Sequence, residues 1–405
     1  IMISKKSQQY GWIIVFCSFL MLWVTNGLTL SGLTVFDKPI LDEMSWKVGG
    51  LKFRDFITLM GTGLLAPFVG GIADKIGVRI PMMISIVTLS AGYFLYSTIE
   101  SLTMVYLIHF LFAITLASGG LVINVMLVSR WFLENRGAAL GLALVGTSMG
   151  NALFPQINTY LLSMYGWRDS FQIVALVPLL MIPIIFFVIQ EKPTDSTDDN
   201  SSTEQSKKDI PGMEYFEAIR TTNFWVITLI AMSTFYSILA FSAHLVLYMI
   251  GQGFTKEMAA GGVGVLFMLG IIGKSAFGFL ADRVDKKTVF TFNLGLMFIG
   301  TLCIVWAKQI LFWPAIIMVG FGWGGLYTLL QLLSANIFGN KALGKILGTV
   351  TILDAFGGGM GIWLTGVLYD STGSYATSFN IIAALVGLSF ILSFFVNEKK
   401  GYQYA

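Results

Sequence analysis

Apolar residues run along this chain in long blocks, each interrupted by only a few polar positions. Blocks of about 20 mostly apolar residues are long enough to cross a bilayer as helices. Six fall at 11–36, 53–73, 80–98, 103–129, 137–162 and 169–190, and six more at 222–249, 259–281, 288–306, 310–337, 344–369 and 375–396. The pattern therefore predicts an all-α membrane protein with twelve transmembrane helices. One long polar stretch, 191–221, separates the two sets, and its Ser, Thr, Asp and Lys content cannot bury a core. It reads as a flexible linker with a short amphipathic surface helix over Glu214–Arg220. The expected organisation is a six-helix bundle at 1–190, a linker at 191–221 and a second six-helix bundle at 222–405.

Composition agrees: 56% of residues are hydrophobic and 12% charged, against about 25% charged in a soluble domain. Of the 25 Lys and Arg, 17 fall on one side of the twelve-helix arrangement and seven on the other, with Lys274 between. Basic residues accumulate in cytoplasmic loops, which places both termini in the cytoplasm, and the short loops favour a bacterial inner membrane. The apolar run after Lys5 and Lys6 continues past signal-peptide length, so it is expected to be the first span. A net charge of +3 without a basic patch argues against nucleic acid. Cys17 and Cys303 lie in apolar stretches, which argues against a structural disulfide. No phosphate loop, His/Cys metal cluster or catalytic triad is present, so neither an enzyme, a cofactor nor an ATP-driven pump is expected.

The two halves repeat each other. The loop after the second span reads GGIADKIGVR and that after the eighth GFLADRVDKK; Gly70 and Asp74 lie 208 positions before Gly278 and Asp282. NRGAALG at 135–141 likewise resembles NKALGKILG at 340–348. Two parallel repeats are the architecture of certain transporters. Asp74 and Asp282, with the basic Lys75, Arg79 and Arg283, stand at helix ends where charge-assisted contacts can form and break. They are candidate gating residues, against the plainer reading of polar turns.

The G-x-x-x-D-[RK] pattern of these loops resembles the signature of the major facilitator superfamily. Gly137, Gly141, Gly146 and Gly150 look like its inter-bundle packing motif. YGWIIVFCSFL, ENRGAALGLALVGTSMG, YGWRDSF and HLVLYMIGQGF are similar to the oxalate/formate antiporter and monocarboxylate transporter branch. The resemblance implies two pseudo-symmetric six-helix bundles and a central site that opens alternately to either side. It also implies a small organic anion as substrate, with a proton or counter-anion as partner. A monomer is expected.

A charge at bilayer depth is costly and marks function by default. Lys274 lies eight residues from Asp282, about 12 Å into the membrane, and Asp354 about 15 Å in from the inner start of its span. In the resembling branch a basic residue, usually arginine, occupies the position of Lys274 and meets the substrate carboxylate. Here lysine replaces the planar fork with a point charge. Helix 11 of oxalate/formate members can carry a second cation, where this chain has Asp354; that departure weighs against dianion exchange. Lys274 is thus the candidate anion ligand and, with Asp354, the proton-coupling pair, the two neutralising each other when no substrate is bound. The plainer alternative is a structural ion pair.

Polar companions at helical spacing are Thr25, Asn26 and Thr29; Asn124; Asn151; Ser233, Tyr236 and Ser237; and Trp323, Tyr327 and Gln331. Asn26, Asn124, Tyr236, Tyr327 and Gln331 are the candidate substrate contacts, against interhelical hydrogen bonding as the plainer reading. His109 and His244 read as histidines bonded to neighbours. Lys52, Arg54 and Asp55 are expected either to face an outer vestibule or to snorkel to headgroups. The reading that results is a secondary carrier of a monocarboxylate or similar anion. Its rivals are a drug-type carrier that uses Asp354 for a cation, and a ligand sensor without net flux.

Overall fold

The computed structural model describes residues 5–132, 136–190, 212–281, 283–306, 311–339 and 341–398. Its regular structure is helical, apart from one antiparallel pairing of Gly212 with Gly339. In chain order the helices are α1 (Lys5–Thr29), a 3-10 turn (Ser31–Phe36), α2 (Asp37–Met44), α3 (Val48–Ile76), α4 (Arg79–Tyr96), α5 (Leu102–Gly119) and α6 (Leu121–Trp131). Then follow α7 (Arg136–Leu179), α8 (Met181–Pro183), a π turn (Ile184–Val188), α9 (Tyr215–Ala218), α10 (Thr222–Gly251) and α11 (Lys256–Ala281). The last are α12 (Lys286–Trp306), α13 (Phe312–Phe338), α14 (Leu343–Thr372) and α15 (Ala376–Phe395).

Among the described residues, eleven helical stretches are long and apolar enough to cross a membrane. One of them, Ala139–Val188, takes in most of α7, whose 44 residues would span about 66 Å as a straight rod, twice the roughly 30 Å of a hydrocarbon core. Gly166 breaks it with φ 74° and ψ 176°, a left-handed position that glycine takes without a Cβ clash. The stretch therefore provides two crossings, and the total is the twelve expected. Apolar side chains point outward, as lipid contact requires: Phe68 is 72% exposed and Trp306 77%.

Three boundaries differ from the periodicity. The first span ends at Thr29, and the chain continues through the 3-10 turn into α2. The second begins at Val48, several residues early, so Lys52 and Arg54 lie within α3. The fourth is divided at Gly120, which is not helical, and the Asn124 amide donates to the freed carbonyls of Gly119 and Gly120, both at 2.9 Å. After the linker, the surface helix is the single turn α9, shorter than expected, and Glu214 caps it. Residues 191–211 lie outside those described.

The chain divides into two compact units. The first holds residues 1–197 and 243–264, the second 198–242 and 265–405. Each is built on glycines that let helix backbones touch. In the first unit a Cβ on Gly146 would lie 2.3 Å from the Phe19 carbonyl oxygen, and one on Gly150 2.2 Å from that of Trp23. α7 and α1 thus pack along matching four-residue rows. In the second unit a Cβ on Gly357 would lie 2.6 Å from the Met232 carbonyl and one on Gly361 2.4 Å from that of Tyr236, so α14 meets α10 by the same device. The structural repeat agrees with the sequence repeat. Inside a bilayer there is little hydrophobic drive between helices, so such close packing carries much of the association.

The resemblance suggested that Gly141, Gly146 and Gly150 pack between bundles. The structure gives Gly146 and Gly150 a role inside one unit, while a Cβ on Gly141 would meet nothing within 4 Å. Gly150→Leu is therefore expected to force α7 from α1 and cost about 1–3 kcal/mol, read as a lower thermal unfolding midpoint in detergent. Gly141→Ala should leave that midpoint unchanged.

Candidate functional site

In the second unit, α11 and α13 touch along rows of small residues. A Cβ on Gly320 would lie 2.5 Å from the Leu266 carbonyl, and one on Gly324 1.9 Å from that of Gly270. Further along the contact loosens, with Gly278, eight residues on from Gly270, facing Thr328, four on from Gly324, at 3.8 Å. Lys274 falls on the α11 row between these two contacts, half-buried. Its backbone is therefore held close to α13 at the level where that helix carries Tyr327. Tyr327 lies beside the Gln331 amide and within electrostatic reach of Asp354 on α14. Asp354 is buried, 5% exposed, and stands one turn before Gly357, where α14 is pinned to α10.

Among the described residues no ion pair within 4.0 Å joins Lys274 to Asp354. What reaches the Asp354 carboxylate from the main chain is the neighbouring Ala355 amide. An aromatic wall flanks the group: Phe235 meets Trp323 edge-on at 4.9 Å and Tyr327 at 6.0 Å. Tyr236 places a buried hydroxyl opposite Thr365, and neither makes a hydrogen bond of ordinary geometry. Unsatisfied buried hydroxyls are uncommon, and here Thr365 shares α14 with Asp354 while Tyr236 lies on α10, the helix to which α14 is pinned. Gln331 is exposed.

In the first unit, Thr25 and Thr29 turn their hydroxyls onto the carbonyls of Met21 and Thr25, at 2.8 and 2.6 Å. Asn26 stays half-buried with one weak contact to Thr25 at 3.4 Å. Asn124 spends its amide on the Gly120 break, but its carbonyl oxygen is buried and without a partner. Asn151 accepts from the Ser31 amide at 3.3 Å, a fastening for the end of α1. Trp167 and Arg168 of YGWRDSF both bond Glu43, at 2.6 and 2.9 Å, clasping α2 to the Gly166 turn.

Of the gating candidates, Asp74 is exposed and pairs with Arg130 at the end of α6 at 3.1 Å. Arg79 donates to the Ile189 carbonyl at 2.5 Å, and Lys75 is exposed. Arg283 stacks over Phe279 at 3.8 Å, and Asp282 lies outside the described residues. The next loop carries an ion pair between Lys341 and Glu214, 2.8 Å long. The hydrogen bond and charge of Lys341 hold the Glu214 carboxyl below the usual carboxylate range.

Among the described residues, a dense charge cluster lies where the sequence pattern carries only a weak signal. Lys52 and Arg54 neither face a vestibule nor snorkel: they are 0% and 1% exposed. Both reach Asp37 at the start of α2, Lys52 at 2.5 Å on one oxygen and Arg54 on the other. Asp55 stands further off, 3.9 Å from Lys52 and 3.7 Å from Arg54. Two cations and two anions leave no net charge, which is what makes burial at this depth tolerable. Arg54 also donates to the Tyr96 hydroxyl at 2.9 Å. Tyr96 lies 3.1 Å from His109 Nε2, and His109 Nδ1 lies 2.8 Å from Thr58. His109 is thus bonded on both nitrogens. His244 is fully buried. The missed signal was the balance of signs, with Asp37 just past the first span and Lys52, Arg54 and Asp55 opening the second.

Asp37→Asn would leave Lys52 and Arg54 with one distant carboxylate. The expected cost is about 3–5 kcal/mol, as for other broken buried pairs, and Asp55→Asn should cost clearly less. Thermal unfolding of the two variants in detergent checks the order.

Residues 11–362 match the family model of the Major Facilitator Superfamily. The oxalate:formate antiporter of Oxalobacter formigenes is 23% identical over 403 residues, 96% of this chain and 92% of that protein. Human monocarboxylate transporter 12 is 24% identical, with 96% of this chain and 80% of that protein covered. The hexuronate transporter of Bacillus subtilis is 24% identical, with 89% of each covered. A crystal structure of a bacterial homolog of the human lysosomal transporter Spinster, inward-facing and occupied, superimposes with a TM-score of 0.77, 14% identity and 97% of both chains. The glycine-packed helical repeat and the family match over most of the chain agree: this protein belongs to the major facilitator superfamily and is a secondary transporter, not an enzyme.

Proposed function

We propose that this transporter carries a small organic anion, a monocarboxylate in the simplest case, with Lys274 as the ligand of its carboxylate. The observation that carries the reading is a half-buried lysine held against α13 at the level of Tyr327, which itself lies within electrostatic reach of Asp354. Relatives named for oxalate and formate, for monocarboxylates and for hexuronate support it, since all those solutes bear carboxylates. Tyr327, Gln331 and Tyr236 supply polar contacts from the second unit, Asn26 and Asn124 from the first. Asp74, Lys75, Arg79, Asp282 and Arg283 act as gating residues.

Asp354 is the proton-coupling group. An ionised carboxylate near Lys274 repels an arriving anion, and a proton on Asp354 removes that repulsion, so anion and proton enter together. Exchange against a second anion is the variant of this scheme in which departing substrate restores the starting charge. Both termini lie in the cytoplasm and the membrane is a bacterial inner membrane, on the support of the Lys and Arg asymmetry and the short loops.

The test is uptake of labelled formate, oxalate, a monocarboxylate and a hexuronate into proteoliposomes, with and without an imposed pH gradient. Lys274→Ala should lower anion uptake about a hundredfold, as expected for truncating a buried charge partner worth roughly 3 kcal/mol. Asp354→Asn should transport at a rate indifferent to the gradient. No uptake of any carboxylate overturns the reading. Transport of a cationic solute that survives Lys274→Ala and fails in Asp354→Asn would establish the drug-type carrier instead.

A further inference from the structure

The second unit carries a groove of about 650 Å³ between α12 and α15. Phe292 and Ile299 of α12 and Phe394 of α15 line it, and they are 60%, 52% and 57% exposed. Gly295 lies midway along it, where even a Cβ would come within 3.1 Å of the Phe390 ring. From Lys287 to Ile299 the groove follows α12 for about 18 Å, close to the roughly 15 Å of hydrocarbon in one leaflet. Lys287 stands at its polar end and donates to the Phe394 carbonyl, in the last turn of α15, at 3.0 Å. An ammonium has three donors, so this bond fixes the charge in place and leaves donors for a ligand.

We propose that this groove binds one acidic glycerophospholipid, with an acyl chain laid along Gly295 and the phosphate held by Lys287. Two carboxyls near the same end bear on the charge balance. Asp285 caps α12, accepting from the Thr288 amide at 2.9 Å and its hydroxyl at 2.8 Å, and it is hydrogen-bonded to Glu398. Partial burial and the neighbouring Asp285 raise Glu398 above its ordinary value, which favours one proton shared by the pair. The pair then carries a single negative charge against Lys286 and Lys287, and a net positive charge faces the headgroup. On the orientation proposed above this is the cytoplasmic leaflet, whose surface is negative. In the first unit, α4 and the second half of α7 enclose a groove of about 690 Å³, but none of the residues that line it is charged. Its Ser90 and Gln172 donate to the Ala175 carbonyl and the Ser97 hydroxyl, at 2.7 and 3.5 Å. That groove can take a chain but selects no headgroup, which makes it an internal control. The proposal holds whatever solute is carried.

Photolabelling tests it, with the full chain in phosphatidylcholine liposomes that contain a trace of phosphatidylglycerol bearing a diazirine midway along one acyl chain. Labelled residues are mapped by mass spectrometry. Label on α12 and α15 should be displaced by unmodified phosphatidylglycerol at about a tenth of the concentration needed with phosphatidylethanolamine of the same chains, the worth of one charge-assisted hydrogen bond. Lys287→Gln keeps a donor for the Phe394 carbonyl and removes the charge, so it should abolish that preference. Label in the groove between α4 and α7 should respond equally to both lipids and be the same in the two proteins. Label on α12 and α15 that both lipids displace equally in the parent, or a preference that survives Lys287→Gln, would overturn the proposal. If Lys287→Gln does not yield folded protein, the competition in the parent decides the matter alone.

Discussion

An ionised side chain in a low-dielectric interior must be neutralised where it stands or be given a task that repays its cost. This chain meets that constraint in two ways. In the first unit Asp37, Lys52, Arg54 and Asp55 balance one another and bond onward through Tyr96 and His109 into a closed network. In the second unit Lys274 and Asp354 lie on different helices, with Tyr327 near the acid, and do not pair with each other. The first arrangement is a structural solution. The second sets a half-buried cation and a buried acid on separate helices, and the proposed function gives them a solute and a proton.

The scaffold that fixes these charges is made by glycine. Rows of small residues on α7 and α14 bring them against the carbonyls of α1 and α10 in the two units, at equivalent places. Without a Cβ in the way, helix axes approach until backbones touch, and the contact defines rotation as well as distance. Asp354 is positioned because Gly357 and Gly361 lock α14 onto α10. Lys274 is positioned because Gly270 and Gly273 hold its stretch of α11 against the backbone of α13.

Much of this was legible in the sequence. Span length and charge asymmetry carry the membrane class, and paired loop motifs carry the repeat, because both reflect one-dimensional constraints. Lys274 and Asp354 were visible for the same reason: a lone charge in an apolar block stands out. Asp37 gives no signal of its own, and Lys52, Arg54 and Asp55 lie near a span end, where snorkelling is ordinary and only three-dimensional pairing shows otherwise. Asn124 was seen as polar, but its amide answers a break at Gly120 that periodicity does not reveal. The glycines of α7 were noticed as a motif, yet which helix they touch depends on how the helices are arranged. The lack of a direct ion pair between Lys274 and Asp354 was likewise beyond reach, since depth along a helix does not fix lateral distance.

The central claim is that Lys274 binds a carboxylate. Ligand-induced thermal stabilisation of the purified protein tests it most directly, with formate, oxalate, a monocarboxylate and a hexuronate compared in the parent and in Lys274→Ala. Binding to the folded state raises the unfolding midpoint, and the stabilisation grows with the logarithm of ligand over dissociation constant. At least one of these anions should raise the midpoint of the parent and leave that of Lys274→Ala unmoved. Equal stabilisation of both proteins by the same anion would contradict the account.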